Sequence, residues 1–259
     1  MVEALRSALP QHLQHHLNSA RELAHRHAAT PVSILSTKIT AFDNLLVGGL
    51  PRGQMVELIG HRSSGRFSTV LSVLAATTAA GEATALVDLG DAFDPKLAVA
   101  AGTALERLLW IRPTHLKQAL IGAEMLLAGG FPLVVVDLGH PPIPGGRGVE
   151  AAWLRLSRAA ESHAAVLLVS SPYRVSGTAA AGVVKATRGR PLWSGSGLEP
   201  RLLLGLSSRL TLQKLRGQQG TRSETLHLRT LEAATFETVI TQNGETPRPH
   251  DPKIPPCPA

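Results

Sequence analysis

The sequence predicts an α/β fold with a mainly parallel central sheet flanked by helices, and with antiparallel strands at one end. Three observations predict it. Between Met55 and Ser171 short apolar runs alternate with longer segments of helical periodicity, the rhythm of βαβ units. Two of those runs, LVVVD ending at Asp137 and AVLLV ending at Val169, are apolar almost throughout, as strands covered on both faces must be. Beyond Pro172 the style changes. LLLGLSSRLTLQKLRG, SETLHLRT and FETVITQ alternate apolar with polar residues and are separated by turns at GQQGTR and EAAT, which marks closing antiparallel strands.

The elements follow in order. Residues 1–30 read as an N-terminal helical arm, broken near Pro10, with Asn18 or Ser19 as a cap that Glu22 is placed to answer. ATPVSILSTKI reads as an extended linker, and FDNLLVGGLPRGQ as a turn-rich approach. MVELIG is a buried strand ending in glycine, RFSTVLSVLAATTAA a helix stopping at Gly81, and ATALVDLG the second strand. DPKLAVAAGTAL is helical, with Asp94 as cap and Pro95 in the first turn. RLLWIRP gives a third strand, THLKQALIGAEMLLAGG a helix capped by Thr114, FPLVVVDLG the most apolar strand, GVEAAWLRLSRAAESHA an amphipathic helix, and AVLLVSS a fifth strand. The core domain is expected over residues 31–242. Residues 243–259 hold six prolines and no apolar periodicity, so a Pro-rich disordered tail is expected there.

Composition narrows the function. The chain of 259 residues is 44% hydrophobic and only 3% aromatic, so its core must be built from Leu, Val, Ile and Ala. Cys257 is the one cysteine, which leaves no disulfide and no cysteine zinc site within the chain and points to the reducing cytoplasm. No apolar run reaches membrane-spanning length, so no membrane role is expected. The opening residues are too polar for a signal peptide. The formal net charge is +7, and the segment from Ser170 to Thr230 carries the whole surplus, with ten Lys or Arg against two acids. Clustered positive charge favours a polyanion such as DNA, or an acidic protein surface.

The stretch GHRSSGRFST, Gly60 to Thr69, has the outline of a phosphate-binding loop with its working parts replaced. Gly60 and Gly65 stand at the required spacing, with Ser63 and Ser64 between them, after a strand and before a helix. Backbone N–H groups and a helix N-terminus still make an anion cradle there. Arg66 occupies the lysine position, and Arg is longer and forked. Phe67 occupies the position of the hydroxyl that would ligate Mg²⁺. Ser68 is no substitute, because one step along a helix turns a side chain by about 100°.

Wider context gives the loop a family. GGLPRG before the strand, the loop at fixed distance, VDLGDAFDP after the next strand and LVVVD as the second acidic strand resemble the bacterial RecA recombinase family in order and spacing. VSILSTKITAFDNLL resembles the family's entry segment. The resemblance implies a RecA-like P-loop NTPase core over roughly residues 32–240 and is sharp over 48–138. It places the phosphate-loop lysine on Arg66, its hydroxyl residue on Phe67, the Mg²⁺-facing aspartate on Asp137, and the aspartate near adenine on Asp94. It also places the catalytic glutamate on Gly90 and the γ-phosphate sensor on Ser171. The nucleotide-binding set is therefore degenerate: Gly60, Ser63, Ser64, Gly65, Arg66, Phe67, Asp94 and Asp137. The resemblance implies a pseudo-ATPase with no catalytic residue and no metal site of its own, in which ATP binding without efficient hydrolysis stays open. Asp91, beside Gly90, is out of register by one residue for a substitute base.

A short, basic, eroded RecA relative resembles the ImuA group, and LLWIRP is similar to that group too. The resemblance implies an accessory factor of SOS-type translesion DNA synthesis and induced mutagenesis. Its implied partners are the recombinase RecA, the Y-family-like polymerase subunit ImuB, an error-prone replicative polymerase, and DNA. The candidate DNA contacts are Arg147, Arg174, Lys185, Arg188, Arg190 and Trp193, because GHPPIPGGRG and the region of Arg174–Arg190 fall where RecA relatives carry DNA-binding loops. Trp110 and Trp153 are expected in the core. His12 and His16 are spaced to share a metal, but no carboxylate completes a site in register and a solvated face is the better reading. Two rivals stay open: an active DNA-dependent ATPase that recruits Arg66 and Asp91, and a protein-binding inhibitor of the cell-division-inhibitor type with no DNA role.

Overall fold

The computed structural model describes residues 33–140, 149–193, 203–218 and 220–229. The sequence expectations for the N-terminal arm, for FETVITQ, for the Pro-rich tail and for Arg147 lie outside these residues. The chain enters through β1 (Ile34–Leu35), α1 (Thr40–Leu45) and β2 (Leu50–Pro51), with β1 and β2 paired antiparallel. The expected linker is therefore partly structured. Asp43 organises it by accepting from the Thr37 N–H and hydroxyl and from the Ser36 hydroxyl.

Then come β3 (Met55–Ile59), α2 (Arg66–Ala79), β4 (Thr84–Asp88), α3 (Pro95–Ala100), β5 (Leu108–Ile111), α4 (Leu116–Ala128), β6 (Leu133–Asp137), α5 (Val149–Ser162) and β7 (Val166–Ser171). They are followed by β8 (Gly182–Trp193), β9 (Leu203–Leu215) and β10 (Arg222–Arg229). Asp94 caps α3 as expected, accepting from the N–H groups of Lys96 and Leu97, with Pro95 in the first turn. Thr114 does not cap α4. The cap position is His115, and Thr114 instead donates its N–H and its hydroxyl to Gln118 Oε1.

Eight strands form one sheet in the order β10-β9-β8-β3-β7-β6-β4-β5. The strands from β8 through β3 to β5 run parallel, and β9 and β10 close the sheet antiparallel. The expected fold class is thus the observed one. One element departs from the sequence reading. GVVKATRGRPLW, much of it in the region where the resemblance places DNA-binding loops, is the long strand β8, and it pairs with β3. Its far half carries Gly189, Pro191 and the charged Arg188 and Arg190, which obscures strand periodicity. The register shift between Arg188 and Pro191 is what lets a proline sit there.

Strand side chains alternate between faces, so a parallel sheet needs cover on both. Val56, Leu58, Val135 and Leu168 face a cluster with Val70, Val73 and Leu74 of α2. Met55, Val134, Val136 and Val169 face a second cluster, with Ala119, Ala123 and Leu127 of α4 and Trp153 and Leu156 of α5. Trp153 is fully buried, while Trp110 is partly buried against the first cluster. The strands' carboxyl ends converge where β3 hands over to α2, the place where open α/β sheets bind ligands.

Candidate functional site

β3 is followed by Gly60, whose N–H donates to the Ser171 carbonyl at 3.0 Å, so the loop starts tied to the end of β7. Gly65 is the residue before α2 and has φ of +82°, a conformation that suits glycine. A Cβ there would meet Leu228 Cδ1 at 2.5 Å. The loop is thus pressed under β9 and β10, and the Ser208 hydroxyl donates to the Ser64 carbonyl at 2.5 Å. Ser64 is buried, whereas Ser63 is exposed with φ of +57°. Phe67, in place of a metal-binding hydroxyl, packs against the first core cluster.

Arg66 settles the character of the site. It is only 5% exposed and turns inward, under the loop. Its Nη1 donates to Asp137 Oδ1 at 2.9 Å and to Ser170 Oγ at 2.6 Å, and its Nη2 donates to the Gly139 carbonyl at 2.6 Å. Ser170 Oγ in turn donates to Asp137 Oδ1 at 2.5 Å, and the Gly139 N–H donates to Asp137 Oδ2 at 3.1 Å. Asp137 is 1% exposed, so the two ions form a buried pair. Burial pushes the Asp137 carboxyl above the ordinary carboxylate range, and Arg66 and Ser170 pull it back. Burial likewise lowers the Arg66 guanidinium from its ordinary value, opposed by Asp137.

Nucleotide chemistry needs other arrangements at each of these positions. Mg²⁺ requires carboxylate and hydroxyl oxygens open to it, yet Asp137 already accepts from a guanidinium, a hydroxyl and an amide, and Phe67 has no oxygen to give. At Gly90 a side chain would run into the Cα of Gly139 and approach Asp137 Oδ2 to 2.8 Å, so the glutamate position is filled by backbone. Asp91 turns outward and pairs with Arg112 on the surface through both oxygens, at 2.8 and 3.0 Å. Ser171 donates to the Tyr173 carbonyl at 2.6 Å. The cleft at the start of α2 measures about 130 Å³ and is lined by His61, Arg62, Ser63, Ser68 and His140 with Gly65, Arg66 and Phe67. Small-molecule pockets run to roughly 300–1,000 Å³. The residues present therefore do not fit a metal-bound triphosphate. Of the sequence candidates, Ser63, Gly65, Arg66 and Phe67 line the cleft, while Ser64 and Asp137 are buried and Asp94 is spent on capping α3.

The remaining candidates are dispersed. Arg174 sits on the β7–β8 connection and donates to the Gly177 carbonyl at 2.6 Å. Lys185 lies opposite Ile59, the last residue of β3. Arg188, Arg190 and Trp193 occupy the part of β8 that runs on past β3, both arginines exposed and the indole 48% exposed. Sequence reasoning missed Ser170, Gly139 and Ser208, whose partners lie 104, 73 and 144 positions away. It also missed Glu57, a fully buried carboxylate on β3 that accepts from the Val175 N–H at 2.6 Å and from the hydroxyls of Ser171 and Ser176. A lone acid inside an apolar strand, MVELI, was the available signal. Among the described residues no group of three or more His, Cys, Asp or Glu could hold a metal, and no helix is long and apolar enough to cross a membrane.

Comparison with known proteins agrees with this geometry at the level of family. The family model described as the RecA N-terminal domain matches residues 4–144. Protein RecA of Francisella tularensis subsp. novicida (strain U112) is 36% identical over 138 residues, which are 52% of this chain and 38% of that protein. Protein RecA of Francisella tularensis subsp. tularensis (strain SCHU S4 / Schu 4) matches to the same extent. The chain thus spans well under half the length of these curated relatives. Among solved structures, the crystal structure of the RadB recombinase superposes with a TM-score of 0.57 at 18% identity, over 75% of this chain and 96% of that one. That likeness concerns the fold.

Proposed function

The chain belongs to the RecA family, and from that premise we propose that it is a member that does not hydrolyse ATP. It serves as an accessory factor in SOS-type translesion synthesis and induced mutagenesis, working in the cytoplasm. It offers a recombinase scaffold as a binding surface to the recombinase, to a Y-family-like polymerase subunit, to an error-prone replicative polymerase, or to DNA. One observation carries the non-hydrolysing part: the residue at the phosphate-lysine position is buried in an ion pair with the aspartate that would face the metal. Phosphoryl transfer rests on positioning and on charge stabilisation, to which both of those groups and a metal contribute. The basic surplus between Ser170 and Thr230 supports a polyanionic or acidic partner.

The decisive test is an ATPase assay with single-stranded DNA. No Mg²⁺-dependent turnover is expected. Turnover that Asp137→Ala abolishes would establish an active enzyme instead. The accessory role is tested by capture from DNA-damaged cells using the intact chain and a chain lacking residues 1–30. The recombinase or polymerase subunits are expected with the intact chain, and equal capture by both would remove the arm from the interface. If DNA is a direct partner, the double change Arg188→Gln and Arg190→Gln weakens binding and flattens its salt dependence. The inhibitor-type reading expects no effect.

A further inference from the structure

The Arg66 network does more than block a ligand: it clamps three elements together. Its guanidinium leaves the first residue of α2 and reaches the end of β6, the turn after it and the end of β7. Gly139 is held from both sides, because its N–H goes to Asp137 while its carbonyl takes Arg66. On its other flank it lies backbone to backbone against Gly90, where neither residue has room for a Cβ. A switch needs two arrangements of such a segment with comparable free energy. Here the turn is fixed by a buried ion pair, four hydrogen bonds and a backbone contact. A second arrangement would leave a charge buried without its partner, a costly state.

We infer that Arg66 is a built-in tether that holds the carboxyl ends of β6 and β7 and the turn at Gly139–His140 in one arrangement, independently of nucleotide. This builds on the non-hydrolysing reading and assigns the site its regulation. The carboxyl ends of β6 and β7, with the turn at Gly139–His140, are presented to partners continuously, not on a nucleotide signal. Arg66 acts through Asp137, Ser170 and Gly139, and so is a positioning residue.

Hydrogen–deuterium exchange on the full chain tests this, read at the amides of 138–140 and 170–171. The wild type is measured alone and with millimolar Mg-ATP or Mg-ADP. The double variant Arg66→Met/Asp137→Leu removes the tether without orphaning a charge, a replacement that buried ion pairs commonly tolerate. In the wild type neither nucleotide is expected to change exchange at these amides. In the double variant they exchange faster, on the order of tenfold, while amides of β4 and α4 keep their protection. Arg66→Lys, which keeps the charge but lacks the fork that reaches Gly139, is expected to show the same local acceleration and covers the case in which the double variant unfolds. Wild-type rates in a folded variant, or nucleotide-dependent protection in the wild type, would overturn the tether. ATP turnover with nucleotide-insensitive exchange would instead remove the non-hydrolysing reading and leave the tether in place.

Discussion

Two of the buried carboxylates on the sheet, Glu57 and Asp137, are held in different ways. Glu57 on β3 accepts from neutral donors, the Val175 N–H and Ser176 hydroxyl of the β7–β8 connection and the Ser171 hydroxyl at the end of β7. Asp137 on β6 accepts from a guanidinium as well. The first arrangement is local housekeeping: a connection that crosses the sheet face needs its backbone satisfied, and a buried acceptor does that. The second draws a cation from another element into the place where a ligand would act, and so fixes that place. A neutral cage organises one connection, while an ionic cage joins elements that are far apart in the chain.

Breaking the ionic cage should have the largest effect. Arg66→Met leaves Asp137 buried without its partner and is expected to cost about 3–5 kcal/mol of stability, read as a fall in the denaturant midpoint. The double variant with Asp137→Leu should recover most of that loss, and failure to recover would mean that the cost lies in packing and not in charge. Gly90→Ala comes next. It forces the turn at Gly139 to shift and is expected to cost about 2 kcal/mol, an overpacking effect visible in a thermal melt. Glu57→Gln keeps one acceptor but brings an amide among donors, and should cost about 1 kcal/mol, with faster exchange confined to the amides of 175–181. If its effect equalled that of Arg66→Met, the contrast between neutral and ionic cages would fail. Arg112→Ala sets the lower end. Its pair with Asp91 is more than half exposed on both sides, so a change of less than about 1 kcal/mol is expected.

The contrast also explains what could be read in advance. The strands of the parallel sheet were legible because burial on both faces writes unbroken apolar runs, as in LVVVD. The positions of Arg66, Phe67 and Gly90 were legible too, because they stand at fixed distances from recognisable landmarks. Where Arg66 would go was not legible. A guanidinium at a helix start can point to solvent or inward, and the choice depends on Ser170 and Gly139, which meet it only after the sheet assembles. β8 was missed for a different reason. Its first half is apolar and its second half basic, so neither half shows the two-residue alternation by itself, and its place beside β3 is set by pairing instead.

The contact between Gly90 and Gly139 limits what position 90 can carry. Two stretches of main chain meet there without room for a Cβ on either. Any side chain introduced at position 90 would first have to prise the turn open, against the guanidinium that holds it shut. The chemistry available at the end of β4 is therefore set by the main chain of a neighbouring turn before any side chain is chosen.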